Sequence, residues 1–305
     1  MAMVGTGSNM EALTQEQVDE FNKVGAIVVP DRLTSQDLSM IHSEIDRFMD
    51  EARELDKSND RLDLEDSHSP QNPRVRRIKL PHMISEVVRD LMFSDKILAP
   101  ARDLIGPDLR LHTTKLNMKS AGFGAAVEWH QDFAFYPHTN DDVIAIGVMI
   151  DDMAEENGPL MIFPETHRGE IFDHHVDGVF HGAMDLERDG FDPKNGLTLT
   201  GKAGSLSIHH GRVVHGSALN TSTQDRRILF FEMMAADAFP VMGSMTSFGS
   251  LEEYNEKMLC GTPSITPRLA DVPIRIPLPQ PSNKGSIYEI QAGLKNRGFG
   301  IYDKS

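Results

Sequence analysis

Cysteine, basic residues and long apolar runs are all scarce in this chain of 305 residues. Its single cysteine, Cys260, cannot form a disulfide within the chain, which favours a reducing compartment. The longest run of apolar residues and glycine in the middle of the chain, 143–150, is far shorter than the ~20 residues that a membrane-spanning helix needs. The first seventeen residues lack a basic start and an apolar stretch, so no secretory signal is indicated. We therefore expect a cytoplasmic protein with no membrane partner.

The balance of charge limits the partners that this chain can bind. Asp and Glu number 46 against 30 Lys and Arg, which gives a formal net charge of −16. Such a field repels nucleic acid and anionic lipid at long range, so we expect no nucleic-acid partner. Hydrophobic residues at 39% and charged residues at 25% are ordinary for a globular protein, which argues against a disordered chain.

The first hundred residues have mostly helical patterns. Thr14 and Gln17 form a capping-box pattern at the start of one helix, which Gly25 ends. Thr34 or Ser35 caps a second helix, whose apolar residues recur at helical spacing. A polar, proline-containing stretch then predicts a surface loop before two more helices. The remaining segments are predicted as a strand at 26–29, a loop at 55–75, and helices at about 84–93 and 95–105.

From residue 109 onward the sequence changes to β-type patterns. Short runs of strand-forming residues are separated by glycine, proline, asparagine and aspartate. About eight strands at such spacing predict a jelly roll or barrel, so the expected fold class is mainly β with flanking helices (α+β). The long segment 165–196, with four histidines among acidic residues, is interpreted as an insertion between strands. The strands are predicted at 109–118, 127–132, 143–150, 160–163, 197–200, 205–209, 212–217 and 226–233.

We expect residues 1–305 to form a single domain with three parts. The mostly helical N-terminal part covers 12–108, the β core with its insertion covers 109–235, and a C-terminal extension covers 236–305. Six prolines between residues 263 and 281 predict that the extension runs as an extended tail over the surface.

Two histidines and an aspartate are the candidate metal ligands. His130 and Asp132 are two residues apart, and in an extended segment residues i and i+2 project from the same face. His215, in a later β-type run, can supply a third ligand. Two histidines and one carboxylate leave three open positions in an octahedron, as in non-haem Fe(II) oxygenases, whereas zinc prefers a tetrahedral site with one open position. Iron is therefore the expected metal, with these three residues as the catalytic group.

Arg226 is the candidate partner for a carboxylate beside the metal. If the segment 215–226 forms a hairpin, Arg226 lies opposite His215 on the neighbouring strand and on the same face. Its guanidinium could then bind a distal carboxylate through two hydrogen bonds, with Ser217 donating another. Arg227 would point to the opposite face.

Strand alternation also constrains the neighbours of these candidates. Trp129 and Gln131 should face away from His130, and Trp129 is interpreted as a core residue. His209 and His210 point in opposite directions from each other, and we interpret them as satisfied or solvent-facing histidines rather than as ligands.

Five short motifs follow one another along the β part of the chain. They are His130-Gln131-Asp132, Glu156-Asn157-Gly158-Pro159-Leu160, Pro164-Glu165-Thr166-His167-Arg168-Gly169, His215-Gly216-Ser217 and Arg226. In their joint order and spacing they resemble the phytanoyl-CoA dioxygenase family of Fe(II)/2-oxoglutarate-dependent oxygenases, over roughly residues 12–235. The resemblance implies a double-stranded β-helix, a variant of the jelly roll, with flanking helices.

The resemblance also implies roles for individual residues. The implied roles are iron binding by His130, Asp132 and His215, binding of the 2-oxoglutarate C5 carboxylate by Arg226 and Ser217, and further co-substrate contacts by Gln131 and Lys79. For Gln131 this role conflicts with strand alternation unless the strand bends at its end.

Two positions bear on the pocket and on the reaction. Several relatives have an aromatic residue where this chain has Val148, which predicts a wider or differently lined co-substrate pocket. Related halogenases have Ala or Gly where this chain keeps Asp132, so oxygen transfer or desaturation is implied here, with hydroxylation as the default.

The expected activity of this single catalytic domain is oxidation of a small molecule coupled to 2-oxoglutarate decarboxylation, with Fe(II) and O2 required and succinate and CO2 released. One alternative is a cupin-like metal oxygenase that does not use 2-oxoglutarate and would have no need of Arg226. The other is a non-catalytic metal-binding or sensor protein.

The substrate is expected to be a small metabolite rather than an acyl-CoA. The net charge opposes a polyanion, and only the basic cluster at 74–79 offers cations for one. We expect the insertion 165–196 to flank the mouth of the site and to contribute to substrate choice.

Overall fold

The N-terminal helices begin and end where their capping residues predict. The computed structural model describes residues 10–122, 124–242, 249–282, 286–291, 294 and 297–299. Thr14 and Gln17 form a capping box, Gly25 ends that helix at φ 89°, and Thr34 and Asp37 form a second capping box. The helices are α1 Gln15–Val24, α2 Ser35–Ala52, α3 Glu86–Met92, α4 Asp95–Ile105, α5 Leu251–Asn255 and α6 Ile287–Gln291. In the described ranges, no helix is both long and apolar enough to cross a bilayer.

Two main antiparallel sheets and one two-stranded sheet form the β part of the chain. The strands are β1 Ala26–Val29, β2 Leu62–Leu64, β3 Val75–Lys79, β4 Leu109–Lys119, β5 Val127–His130, β6 Val143–Met149, β7 Leu160–Phe163, β8 His175–Val176, β9 Val179–Phe180, β10 Leu197–Thr198, β11 Leu206–His210, β12 Val214–Ser217, β13 Arg226–Ala235 and β14 Met258–Cys260. The larger sheet has the order β1-β11-β6-β13-β4-β3-β2 with β14 also on β4, and the smaller has the order β10-β7-β12-β5. This is the jelly-roll architecture that the spacing of the strands predicts.

The eight strands predicted from residue 109 onward are all present, with shifted boundaries. The expected loop at 55–75 is corrected, because it contains β2 and the start of β3, which extend the larger sheet beyond β4. The sequence does not predict the strands β8, β9 and β14 or the short helices α5 and α6, and β8 and β9 form the two-stranded sheet within the insertion 165–196. The described residues 263–281 form no helix or strand, as the prolines predict.

The outer face of the larger sheet packs against the N-terminal helices. Leu229 and Phe231 of β13 lie in one hydrophobic core with Ile41 and Ile45 of α2. Val148 of β6 is paired with Leu229 and lies fully buried in the same core. The prediction that Val148 shapes the co-substrate pocket is therefore wrong, because its side chain points to the helices and away from the smaller sheet.

The predicted hairpin between His215 and Arg226 is wrong. The strand of His215, β12, lies in the smaller sheet, whereas the strand of Arg226, β13, lies in the larger one. In the larger sheet β13 pairs with β4 and β6, and Arg226 lies directly opposite Lys119. The connection between the two strands therefore crosses from one sheet to the other. Spacing in the sequence gives the midpoint of such a connection but does not distinguish a hairpin from a crossing.

Candidate active site

His130, Asp132 and His215 converge at one point between the two sheets. The two histidines are cross-strand partners on β5 and β12, with ring centroids 4.1 Å apart. Gln131 has extended backbone angles (φ −118°, ψ 127°), so Asp132 projects to the same side as His130. Asp132 Oδ1 lies 3.6 Å from His130 Nε2 and 3.8 Å from His215 Nε2. One ligand atom from each buried residue lies within 4.8 Å of the other two.

Both histidines present an unprotonated ring nitrogen to this point. His130 donates its Nδ1–H to the Glu128 carbonyl at 2.7 Å, and His215 donates its Nδ1–H to the Val213 carbonyl at 3.0 Å. Because Nδ1 carries the proton, Nε2 can bind a metal. Burial, and to a lesser degree the neighbouring His130, lowers the pKa of His215 well below its ordinary value, which keeps the imidazole neutral. These donors fit the expected two-histidine, one-carboxylate iron site.

His209 contacts this group although it is not one of the three converging ligands. Its Nε2 lies 3.4 Å from Asp132 Oδ2, and its ring centroid lies 4.4 Å from that of His215. A hydrogen-bond donor at this position orients the Asp132 carboxylate toward the point where the three ligand atoms converge. His210 faces the other way, as strand alternation predicts, and its Nδ1 accepts the Arg212 backbone N–H at 3.1 Å. The sequence interpretation missed the role of His209 because its strand was not assigned to the site.

Two cations lie at one end of the cavity, beside the ligand histidines. Arg226 faces into the cavity, and so does its cross-strand partner Lys119. The Lys119 ammonium donates to Ser217 Oγ at 2.8 Å and to the Ser217 carbonyl at 3.2 Å. One Arg226 Nη donates to the Gly158 carbonyl, while Nε has no partner among the described residues. We refer to Arg226, Lys119 and Ser217 as the guanidinium end of the cavity.

The described residues place no carboxylate within ion-pair distance of either cation at the guanidinium end. Burial lowers the pKa of Arg226 to about 10. Burial, together with the charge of Arg226, lowers the pKa of Lys119 well below its ordinary value. Two adjacent buried cations without an anion are costly, and a bound dicarboxylate would supply the missing charge. The guanidinium end therefore fits 2-oxoglutarate.

The other end of the cavity holds an ion pair. Lys115 of β4 and Glu232 of β13 approach to 2.5 Å, and both line the cavity. Tyr136 donates its hydroxyl to the second Glu232 oxygen at 3.0 Å. Burial disfavours the charged ammonium, but Glu232 and Asp132 outweigh it and raise the pKa of Lys115 above its ordinary value. We refer to Lys115 and Glu232 as the lysine end of the cavity.

The C-terminal extension forms one wall of the cavity. Ile287 and Tyr288 of α6 line this wall, together with Arg77 of β3. Gln291 ties α6 to β5, because its Oε1 accepts the Glu128 backbone N–H at 3.0 Å. The extension, predicted only as a surface tail, is therefore part of the site.

Two residues that the family resemblance implies as co-substrate contacts lie elsewhere. Gln131 is fully buried, donates Nε2–H to the Arg212 carbonyl at 2.8 Å and accepts the Phe172 backbone N–H at 2.9 Å. Strand alternation therefore holds, and no bend turns this side chain toward the metal point. The Lys79 ammonium lies 2.9 Å from Asp63. Neither side chain lines the cavity.

The insertion 165–196 packs behind the ligand strand rather than around the cavity. His174 Nε2 accepts the Gln131 backbone N–H at 2.9 Å, and Met184 N–H donates to the Trp129 carbonyl at 3.0 Å. Trp129 is 1% exposed and lies in a core cluster, as interpreted from the sequence. None of the described residues of the insertion lines the cavity, whose wall comes from α6 instead.

Comparisons with known proteins agree with this geometry. The family model described as Phytanoyl-CoA dioxygenase (PhyH) matches residues 21–228. A probable alpha-ketoglutarate-dependent hypophosphite dioxygenase of Stutzerimonas stutzeri is 32% identical over 288 residues, which cover 93% of this chain and 99% of the relative. An L-proline trans-4-hydroxylase of Streptomyces griseoviridis is 29% identical over 232 residues, covering 68% and 82%.

The similarity extends to solved structures. EctD from S. alaskensis with bound Fe superposes with a TM-score of 0.64 at 22% identity, over 76% of this chain and 80% of that one, and has the same fold. The expected double-stranded β-helix is thereby confirmed. The dependence of the relatives on 2-oxoglutarate decides against the cupin-like and sensor alternatives. The chain belongs to the phytanoyl-CoA dioxygenase family and is a non-haem dioxygenase that depends on iron and 2-oxoglutarate.

Proposed function

We propose that His130, Asp132 and His215 hold the iron of this dioxygenase and that the guanidinium end of the cavity binds the C5 carboxylate of 2-oxoglutarate. One observation supports both assignments: the buried Arg226 guanidinium lines the same cavity as three converging ligand atoms. When bound, iron supplies the O2 activation that couples 2-oxoglutarate decarboxylation to substrate oxidation, which no side chain of the cavity can supply.

The chain's own residues orient the reactants and exclude water. The hydrogen bonds of the two ligand histidines to backbone carbonyls fix their ring orientation, and His209 fixes that of Asp132. Each of the three ligand residues is 4% exposed. In such a water-poor site, the attraction between Arg226 and a bound carboxylate is stronger than it would be at the surface.

A small substrate is proposed rather than an acyl-CoA. Arg77 and Lys79 share the Asp63 carboxylate at 3.0 Å and 2.9 Å, and the Arg76 guanidinium lies 5.2 Å from the centre of the Tyr288 ring. The basic cluster, which is the candidate site for coenzyme A phosphates, thus has its Arg76, Arg77 and Lys79 side chains engaged within the chain. The Stutzerimonas stutzeri relative matches over nearly its whole length, so hypophosphite is the first substrate to test.

Residues 1–305 are proposed to act as one catalytic domain in the cytoplasm. Support for the single domain comes from α6 and β3, which bring residues of the C-terminal extension and the N-terminal part into one cavity with the β core. Support for the location comes from the sole cysteine, Cys260.

Succinate formation tests the proposal. The purified chain is supplied with Fe(II), 2-oxoglutarate and O2, with and without hypophosphite. Oxidation of hypophosphite would convert one P–H bond to P–OH and give phosphite, succinate and CO2, with one oxygen atom of O2 in each of phosphite and succinate. We expect succinate formation that requires iron and that a true substrate accelerates. If 2-oxoglutarate binds in a calorimetric titration but no succinate forms with Fe(II), the catalytic assignment is wrong.

A further inference from the structure

The lining of the cavity extends along β4 beyond the residues assigned to 2-oxoglutarate. Lys115, Asn117 and Lys119 alternate along β4, and all three line the cavity. At ~3.3 Å per residue, Lys115 and Lys119 lie about 13 Å apart along the strand. A five-carbon dicarboxylate that is bound between Arg226 and the metal ligands does not also extend along β4 to Lys115. The lysine end is therefore left for the substrate.

The charge in the cavity exceeds what iron and 2-oxoglutarate balance. Four lining residues are cations and two are carboxylates, namely Arg77, Lys115, Lys119 and Arg226 against Asp132 and Glu232. Divalent iron and dianionic 2-oxoglutarate cancel each other, so two positive charges remain, or one if Lys119 is neutral. The carboxylate beside Arg77, that of Asp63, also pairs with Lys79 and does not remove the excess. The cavity therefore favours an anion although the chain as a whole is strongly acidic.

The hydrogen-bonding groups at the lysine end favour the same chemistry. An ammonium group has three N–H donors. The Lys115 ammonium forms an ion pair with Glu232, and its nitrogen lies 5.5 Å from the centre of the Phe230 ring. Asn117 lies on the same face of β4 as Lys115 and lines the cavity, where its amide NH2 group can donate hydrogen bonds to a bound group. Both Glu232 oxygens are already engaged, by Lys115 and by Tyr136. The lysine end thus has N–H donors that a bound anion can use, while both oxygens of the Glu232 carboxylate already have partners.

We propose that the substrate of this dioxygenase is a small anion whose charged oxygens bind Lys115 and the Asn117 amide at the lysine end of the cavity. The proposal rests on the proposed function, because it assigns the guanidinium end to 2-oxoglutarate. Short phosphinates, phosphonates and carboxylates share the required chemistry, which is a compact group of anionic oxygens that accepts charge-assisted hydrogen bonds.

Matched compounds test the chemical class on the wild-type enzyme with Fe(II) and 2-oxoglutarate. The phosphorus arm uses hypophosphite and methylphosphonate, the carbon arm uses propionate and butyrate, and the neutral controls are dimethyl methylphosphonate and propionamide. We expect anions of at least one arm to bind in anaerobic calorimetric titrations and to accelerate succinate formation, while their neutral counterparts do neither. If no anion of the panel binds, or if only neutral compounds accelerate the reaction, the proposal is overturned.

Variants of Lys115 test the site. Lys115→Met should weaken binding of the active anion about tenfold or more, because a hydrogen bond between charged groups is lost, and Lys115→Arg should retain most of the affinity. Since Lys115→Met leaves Glu232 buried and unpaired, the double variant Lys115→Met/Glu232→Gln is measured as well. Lys202→Met, which removes an exposed ion pair with Asp152, is the control and should bind as the wild type does. Wild-type affinity in the folded double variant would overturn the proposal.

The two assignments fail separately. Loss of iron- and 2-oxoglutarate-dependent succinate formation in the wild type would contradict the proposed function. If succinate formation is normal but the affinity for the anion is the same in the wild type and in the Lys115 variants, only this inference is contradicted.

Discussion

The two ends of the cavity hold their buried cations in opposite ways. At the lysine end, Lys115 has a partner within the chain, Glu232, and its pKa is raised. At the guanidinium end, Arg226 and Lys119 face each other without a carboxylate partner in the described part of the chain, and the pKa of each is lowered. The pair Lys115 and Glu232 and the pair Lys119 and Arg226 both connect β4 with β13. The two unpaired cations of the guanidinium end therefore depend on a bound anion for charge balance, whereas Lys115 is stabilised by Glu232 before any ligand binds.

The largest effect is expected from a ligand that lies between the two ends. His215→Ala removes one of the three converging donor atoms, so iron-dependent succinate formation should be abolished while the fold survives. Iron content and succinate formation are the measurements, with circular dichroism to verify folding. His175→Ala is the matched control, because His175 lies in the insertion and hydrogen-bonds Asp173. Full activity of His215→Ala would refute the metal site.

The next effect tests the guanidinium end. Arg226→Ala removes the charge partner of the C5 carboxylate, which costs roughly 2 to 5 kcal/mol, or about a 30-fold to several-thousand-fold rise in the KM for 2-oxoglutarate. Iron affinity should hardly change, because the guanidinium is not a ligand. Arg227→Ala is the control, since Arg227 faces away from the cavity and bonds Asp151 at 2.6 Å and 2.8 Å. Equal, small effects of the two substitutions on the KM would contradict the assignment of Arg226.

A smaller effect is expected from the second cation of this end. Lys119→Met keeps the buried aliphatic volume but removes a charge-assisted hydrogen bond to the carboxylate, so the KM for 2-oxoglutarate should rise about tenfold. Steady-state succinate formation against 2-oxoglutarate concentration measures it. An effect larger than that of Arg226→Ala would reverse the roles of the two cations.

The smallest effect tests whether the two ends are independent. Tyr136→Phe removes one hydrogen bond to Glu232 at the lysine end, so the free energy of unfolding should fall by about 1 kcal/mol. The KM for 2-oxoglutarate should stay at the wild-type value, because the guanidinium end is untouched. Urea denaturation and steady-state kinetics give the two quantities. A changed KM would show that the ends are coupled.

Local patterns predicted the metal group, because strand alternation depends only on backbone conformation. Gln131 is extended, as the argument from the sequence requires, so His130 and Asp132 share a side. The placement of Arg226 was predicted through a hairpin that does not exist. Arg226 nevertheless reaches the cavity, because the two sheets that carry it and His215 face the same interior space.

Long-range pairing accounts for the site residues that were not predicted. Lys115, Asn117 and Lys119 do leave a signal in the sequence, since they alternate with the apolar Leu116 and Met118. That β4 lies beside β13, and thus in the site, depends on pairing between distant segments, which one sequence does not reveal. The short helix α6 has no comparable pattern, and its place is set by the bonds of Gln291 to β5.

The position of α6 has a consequence for engineering. Gln291 bonds the backbone N–H of Glu128, and the carbonyl of Glu128 accepts the Nδ1–H of His130. Removing the chain after residue 282 would therefore open a cavity wall and loosen the support of a ligand histidine at once. The same helix offers a point of entry for directed evolution, because Ile287 and Tyr288 face the cavity without holding iron or the C5 carboxylate. A library of variants aimed at new substrates should therefore begin with Ile287 and Tyr288, which lie far along the chain from every motif of the family.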